Sequence, residues 1–220
     1  MIRIINLFFI IFFLLSAKAN SLIEIDITRG NLDPLPIAVS PLFQDDSSKR
    51  NSINELKIEN VGSEISLVVE NNLKISGLFN PLNKEAFLQK PDIAHLKPRF
   101  EDWALIKAQA LITGKVTIED KKLKVEFRLW DILAGREMMA LAFTTVPSNW
   151  RRVGHIISDK VYERLTGEKG YFDTRIIYVS EKGPKTNRVK KLAIMDQDGF
   201  NTKYLTLGNE LVLTPRFNPT

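Results

Sequence analysis

The stretch WRRVGHIISDKVYERLTGEKGYFDTRIIYV, residues 150–179, changes its periodicity midway, and that change decides the fold. Its first half sets Trp150, Val153, Ile157, Val161 and Leu165 at helical spacing, one apolar stripe along a single helix. Ser148 is the expected cap, because its hydroxyl can take a backbone N–H that a helix start leaves open. Thr166-Gly167-Glu168-Lys169-Gly170 then reads as a short glycine-bearing linker, and no helical spacing returns after it. Ile176–Val179, Val189–Met195 and Lys203–Leu207 read as short strands, with a fourth starting near Leu211. Four short antiparallel strands make one propeller blade or a piece of barrel. A lone blade cannot bury its own faces, and the last residues, Asn218-Pro219-Thr220, read as part of a further turn. The sequence is therefore expected to be the front part of a longer protein.

Upstream of the helix, strands and helices alternate. Ile23, Ile25 and Ile27 alternate with Glu24, Asp26 and Thr28, the period of a half-buried strand, and Pro34 and Pro36 break it. Ile37–Phe43 reads as a second strand, and Gln44–Ser48 as a loop by composition. Val61, Ile65, Val68, Val69 and Leu73 recur at helical spacing, with Asn60 to cap the start and Gly77 to stop the end. Leu78–Leu82 forms a short strand and Trp103–Ala108 one or two helical turns. Ala110–Ile118, Leu123–Asp131 and Glu137–Val146 are three successive strands with hairpin-length separators. In the middle one Leu123, Val125, Phe127 and Leu129 face one way and Lys122, Lys124, Glu126 and Arg128 the other, which predicts a sheet with one wet side. The order defines an α/β domain with a mixed sheet and two main helices.

The first residues set the compartment. Arg3 supplies a positive start, Leu7–Leu15 is an unbroken apolar run, and Ala17-Lys18-Ala19 is a small-x-small cleavage pattern. Nine apolar residues fall short of the ~20 that a spanning helix needs, and Phe8-Phe9 with Phe12-Phe13 leave no polar face for a buried core helix. A secretory signal peptide cut after Ala19 is expected, with a mature chain that does not span the membrane. Lys plus Arg total 31 against 26 Asp plus Glu, a net charge of +5. Without Arg3 and Lys18 the balance is 29 against 26, or +3. No part is a polycation, which argues against nucleic acid as a partner. Cysteine is absent, which excludes disulfides, thiol nucleophiles and thiolate metal sites.

Only two histidines, His95 and His155, are available for chemistry. His155 precedes Ser158-Asp159, but all three sit on little more than one helical turn and no G-x-S-x-G elbow accompanies them. It reads as a helix-face histidine bonded to backbone or to the following strands, and His95, flanked by Pro91 and Pro98, as plain surface. Glu24 with Asp26, and Glu101 with Asp102, read as solvated faces rather than a carboxylate pair. Asp196-Gln197-Asp198-Gly199 begins like an EF-hand but lacks the later ligands, so a type I′ hairpin turn is expected and no metal. Lys185, Arg188, Lys190 and Lys191 have no aromatic interleaving and read as a solvated hairpin rim. Trp103, Trp130 and Trp150 read as core or interface anchors, and no catalytic residue or cofactor is assigned.

The junction quoted above resembles that of the TolB family of periplasmic Tol-Pal proteins: Trp150-Arg151, Gly154-His155, Ser158-Asp159, Leu165-Thr166-Gly167 and Thr174-Arg175-Ile176 carry the likeness. Ser76-Gly77-Leu78-Phe79, Asp102-Trp103 with Ala108–Gly114, and Asp196–Asn201 agree with it. Thr214-Pro215-Arg216-Phe217-Asn218-Pro219 resembles a degraded form of the family's blade-boundary motif. The resemblance implies a signal peptide over 1–19, an α/β domain over 20–166, and over 167–220 the first blade and the start of the second of a six-bladed propeller cut short. It implies a non-enzymatic, monomeric periplasmic adaptor that serves outer-membrane integrity and constriction at cell division. The propeller would bind the lipoprotein Pal, and the N-terminal segment would bind TolA and exchange between docked and free states. The matching residues are Asn20, Ser21, Leu22, Ile23, Glu24, Ile25, Asp26 and Ile27. An alternating strand at a free chain end can add to a partner's sheet edge, which is the physical content of that expectation. The alternatives are a hydrolase gated by a propeller and a peptidoglycan- or sugar-binding envelope module.

Overall fold

The computed structural model describes Ile23, Ile25 and residues 33–209 and 212–218. The first sheet is built from β1 (Leu35–Val39), β2 (Phe43–Gln44), β3 (Phe79–Pro81), β4 (Ala110–Glu119), β5 (Lys122–Asp131) and β6 (Arg136–Thr145). Its order is β3-β1-β4-β5-β6, with β2 also paired to β4. The β1–β3, β1–β4 and β2–β4 pairs are parallel, whereas β4–β5 and β5–β6 are antiparallel. The sheet is mixed, as expected.

Between Val39 and Phe43 the structure departs from the continuous strand Ile37–Phe43. The chain leaves the ladder because Ser66 Oγ accepts from Leu42 N–H at 2.9 Å and donates to Ser40 O at 3.1 Å. Those bonds satisfy the backbone that a continuous strand would have paired. Gly62 allows the approach: a Cβ there would lie 2.2 Å from Leu42 O. The expected Gln44–Ser48 loop is instead the start of α1 (Asp46–Leu56). Its sequence has almost no apolar stripe, so periodicity misses it. Capping makes it: Asp45 accepts from Ser48 N–H, and buried Ser48 and Ser52 fix it to the fold through Ile118 N–H and Ile58 O.

Two longer helices cover one face, α2 (Val61–Ile75) and α5 (Trp150–Thr166). Asn60 caps α2 by accepting from Ser63 N–H. Ser148 does not cap α5: Pro147–Asn149 forms a 3₁₀ turn, Asn149 takes the cap position, and neither side chain closes the helix start. Ile65, Val69 and Leu73 of α2 and Val153, Ile157, Val161 and Leu165 of α5 pack on Ile112, Val116, Leu123, Val125, Phe127 and Leu129. The opposite face is wet at Lys122, Lys124 and Arg128. It is dry at the β1–β4 end, where α3 (Pro91–Ala94) and α4 (Phe100–Leu105) bring Ala94 and Trp103 onto Ala38 and Leu111. The turns expected over Trp103–Ala108 start earlier, at Phe100, which stacks edge-on with Trp130.

The second sheet is antiparallel and three-stranded among the described residues: β7 (Arg175–Lys182), β8 (Val189–Asp196) and β9 (Lys203–Tyr204). The expected strand over Lys203–Leu207 is thus only two residues long, and Leu211, where a fourth strand was placed, lies outside the described residues. The type I′ turn expected at Asp196–Gly199 is not formed there; the β4–β5 turn has that type. Asp120 and Lys121 both have positive φ, 48° and 57°, so the two-residue β4–β5 turn is the type I′ one. At Asp196–Gly199, Gly199 N–H donates to Asp196 O and only Gly199 is left-handed, at φ 85°. That is a type I turn followed by a glycine bulge, which lets Asp196 N–H reach Phe200 O at 2.9 Å.

Candidate functional site

Helix α5 touches both sheets through polar groups, Arg164 at Met138 O of β6 and its first turns at the second sheet. Arg151 and His155 are four residues apart and so share a face, and that face meets the Asp196–Gly199 turn. Arg151 is ion-paired with Asp198, and its guanidinium lies 3.8 Å from the centre of the Phe200 ring. Arg152 grips both oxygens of Asp173 at 3.1–3.2 Å. About two turns further, Asp159 accepts from Phe172 N–H at 2.6 Å and Asp173 N–H at 3.1 Å, which closes the linker against the helix. Gly170 is required there, since a Cβ would lie 2.4 Å from Asp159 Cα.

His155 is buried at the centre of this contact, with 2% of its surface exposed. Its Nδ1 is 2.9 Å from Asn72 Nδ2 on α2. Asn72 Nδ2 also donates to Ser158 Oγ at 3.0 Å, and Asn72 Oδ1 accepts from Gln197 Nε2 at 2.9 Å. His155 Nε2 lies 3.6 Å from Asp198 Oδ2. Burial pushes the histidine pKa below its ordinary value, against the pull of Asp198, Asp196 and Asp173 and with the help of Arg151. A cavity of about 250 Å³ opens beside the ring, between the start of α5 and β8, lined among others by Arg151, Arg175, Asp196, Asn201 and Lys203.

His155, Asp196 and Asp198 have the residue types of a metal site, and one ligand atom from each lies within 4.8 Å of the others. The bonding argues otherwise. Asn72 donates to Nδ1, so the ring proton sits on Nε2 and no lone pair faces the carboxylates. Arg151 already neutralises Asp198. The Ser158, His155 and Asp159 side chains form no relay: Ser158 donates to Gly154 O and Asp159 faces the linker.

The other sequence-level candidates are not brought here. His95 is not plain surface: it is half-buried and stacks on Phe43 with ring centres 4.5 Å apart, because the Pro91–Ala94 turn lays it against β2. Asp102 pairs with Arg99, and Arg188 and Lys190 both pair with Glu181 at the hairpin rim. Trp103 is 1% exposed, with its indole N–H on Gln89. Of the N-terminal segment, Asn20, Ser21, Leu22, Glu24, Asp26 and Ile27 lie outside the described residues, as do Ala17 and Ala19. Ile23 and Ile25 are half-buried against the main core, and Ile25 N–H donates to Leu165 O at 2.6 Å. Sequence reading missed Asn72 and Gln197. The available signal was the basic pair Arg151/His155 set against the acidic pair Asp196/Asp198.

These features define a class: an α/β domain joined by its last helix, through a buried polar contact, to the strands of a β-propeller. The chain belongs to the TolB family. Residues 23–138 match the TolB amino-terminal domain and residues 162–220 the TolB beta propeller domain. The Tol-Pal system protein TolB of Pelagibacter ubique (strain HTCC1062) is 79% identical over 212 residues, which cover 96% of this chain and 48% of that protein. The crystal structure of TolB from Acinetobacter baumannii superposes with a TM-score of 0.66 at 24% identity, over 83% of this chain and 41% of that one. The chain thus spans about half the length of the curated relative it matches.

Proposed function

We propose that this chain acts in the periplasm as a non-enzymatic adaptor of the Tol-Pal system. The observation that carries the reading is the 79% identity to a Tol-Pal system protein TolB along nearly the whole chain. In this reading Met1–Ala19 directs export and is removed, 20–166 forms the α/β domain, and 167–220 begins a six-bladed propeller. Among the described residues no helix is long and apolar enough to cross a membrane.

Asn20–Ile27 would dock TolA, and the propeller would dock Pal. Physical support for the first comes from its two described residues: Ile23 and Ile25 are half-buried against the core, and Ile25 N–H donates to Leu165 O. An alternating segment of this kind can exchange with a partner whose sheet edge offers a continuous ladder when the two states lie within a few kcal/mol. Deleting residues 20–32 and titrating with the C-terminal domain of TolA tests the assignment. Lost binding is expected; unchanged affinity would remove this segment from the interface. A pull-down with Pal tests the propeller half separately.

A further inference from the structure

The contact between α5 and the Asp196–Gly199 turn carries one group that changes charge near neutral pH. Ser158 Oγ donates to Gly154 O at 2.9 Å, which leaves only its lone pairs for Asn72. Gln197 Nε2 donates to Asn72 Oδ1. Both neighbours fix the Asn72 amide with its nitrogen toward His155, and an amide nitrogen has hydrogens to give and no lone pair. His155 Nδ1 is therefore an acceptor, and the neutral ring keeps its proton on Nε2. That nitrogen faces Asp198 Oδ2 from 3.6 Å, beyond hydrogen-bond length, and finds no other partner among the described residues.

We propose that Asn72, His155 and Gln197 form a proton-sensitive latch that holds the first propeller turn on the α/β domain while His155 is neutral and loosens when it is protonated. A second proton must go to Nδ1, the ring position that faces the Asn72 hydrogens. Asn72 then has to turn over to offer Oδ1, and Gln197 with it, so both inter-element bonds break and re-form around a buried charged ring. The rearrangement runs from α5 through α2 to the turn. The charged groups nearest the ring are Asp196 and Asp198 of the turn, Asp173 of the linker and Arg151 of α5, and Arg152, Arg175 and Lys203 line the cavity beside it. The carboxylates favour the imidazolium, but Arg151 opposes it and Asp198 is already committed to Arg151. Burial prevails and keeps the closed form neutral. The released ring takes its proton below about pH 6.5, and the closed one only at lower pH. The closed form is thus favoured above that range and is lost as pH falls through it. The latch stands whether or not Asn20–Ile27 binds TolA.

The test uses the whole chain, whose two histidines are told apart by His95→Gln. Long-range ¹H–¹⁵N spectra are expected to show His155 as the Nε2–H tautomer, titrating below about 6.5. Exchange protection of the Asp196 and Gly199 amides, relative to amides of β4 and β5, is expected to fall about tenfold for each unit by which that titration is depressed. In His155→Asn, whose Oδ1 keeps an acceptor in place of Nδ1, protection should not change with pH. Should that variant fail to fold, the tautomer and titration of the unsubstituted chain decide. An Nδ1–H tautomer, a titration at or above the ordinary value, or protection that ignores pH would overturn the proposal.

Discussion

Gln197 and Asn72 stand 125 residues apart, and Gln197 Nε2 donates to Asn72 Oδ1 at 2.9 Å. The bond ties the turn after β8 to α2, an element with no covalent neighbour near the linker. Two long-range ion pairs flank it, Arg151 with Asp198 and Arg152 with Asp173. The second sheet is therefore positioned by side chains from α2 and α5 as well as by the closed linker.

Replacing Asn72 by Leu should leave His155 Nδ1 and Gln197 Nε2 without their partner in a buried site. Each stranded polar group is worth about 1–3 kcal/mol, so the midpoint of urea unfolding should drop by an amount equivalent to about 2 kcal/mol or more. A change within error would mean that water replaces the amide.

Gly154 lies where α5 crosses α2, and a Cβ there would stand 2.9 Å from Val68 Cγ1 and 3.0 Å from Val68 Cβ. Gly154→Ala gains helix propensity but forces the helices apart. Overpacking of this kind costs about 1–3 kcal/mol, against a propensity gain of about 1 kcal/mol, so a small net loss of thermal stability is expected. Adding Val68→Ala to it should restore the spacing and reveal coupling between the two sites.

Asp45 tests the helix that periodicity misses. Its carboxyl is held below the usual range, chiefly by Ser48 N–H and then by the Ser47 hydroxyl, with Lys115 nearby. A depressed carboxylate contributes stability above its unfolded pKa, and that contribution is lost as pH falls through the folded value. Asp45→Asn should therefore keep α1 capped while flattening the acid limb of the stability profile. Asp45→Ala should cost about 1 kcal/mol at neutral pH.

Lys121 sits in the left-handed region at φ 57°, at the second central position of the β4–β5 turn. Glycine is the favoured residue there. Lys121→Gly should raise stability by up to about 1 kcal/mol, or a few degrees in Tm. An unchanged or lower Tm would mean that the lysine makes a contact worth as much as the strain.

Several elements were legible in the residues. The α5 stripe, the α2 stripe with its Asn60 cap, and the alternating β5 strand declare themselves by period, since those residues face one common core, and the hairpin-length separators place β4 and β6 beside β5. Helix α1 did not, because polar caps and buried serines hold it in place of an apolar face. The break at Ser40–Leu42 was equally hidden: it depends on Ser66, more than twenty residues away, reaching back to the strand.

The sequence by itself determined where the helical period stops, the family that the junction motif carries, and the apolar faces that must be buried. These depend on spacing along the chain, which local backbone geometry converts directly into sides of a helix or strand. Only the tertiary structure decided that Asn72, His155 and Gln197 share one hydrogen-bonded cluster. Each of those residues is unremarkable in its own segment. Their roles arise where α2, α5 and the turn after β8 exclude water together, because a buried polar group is defined by the partners that packing brings to it.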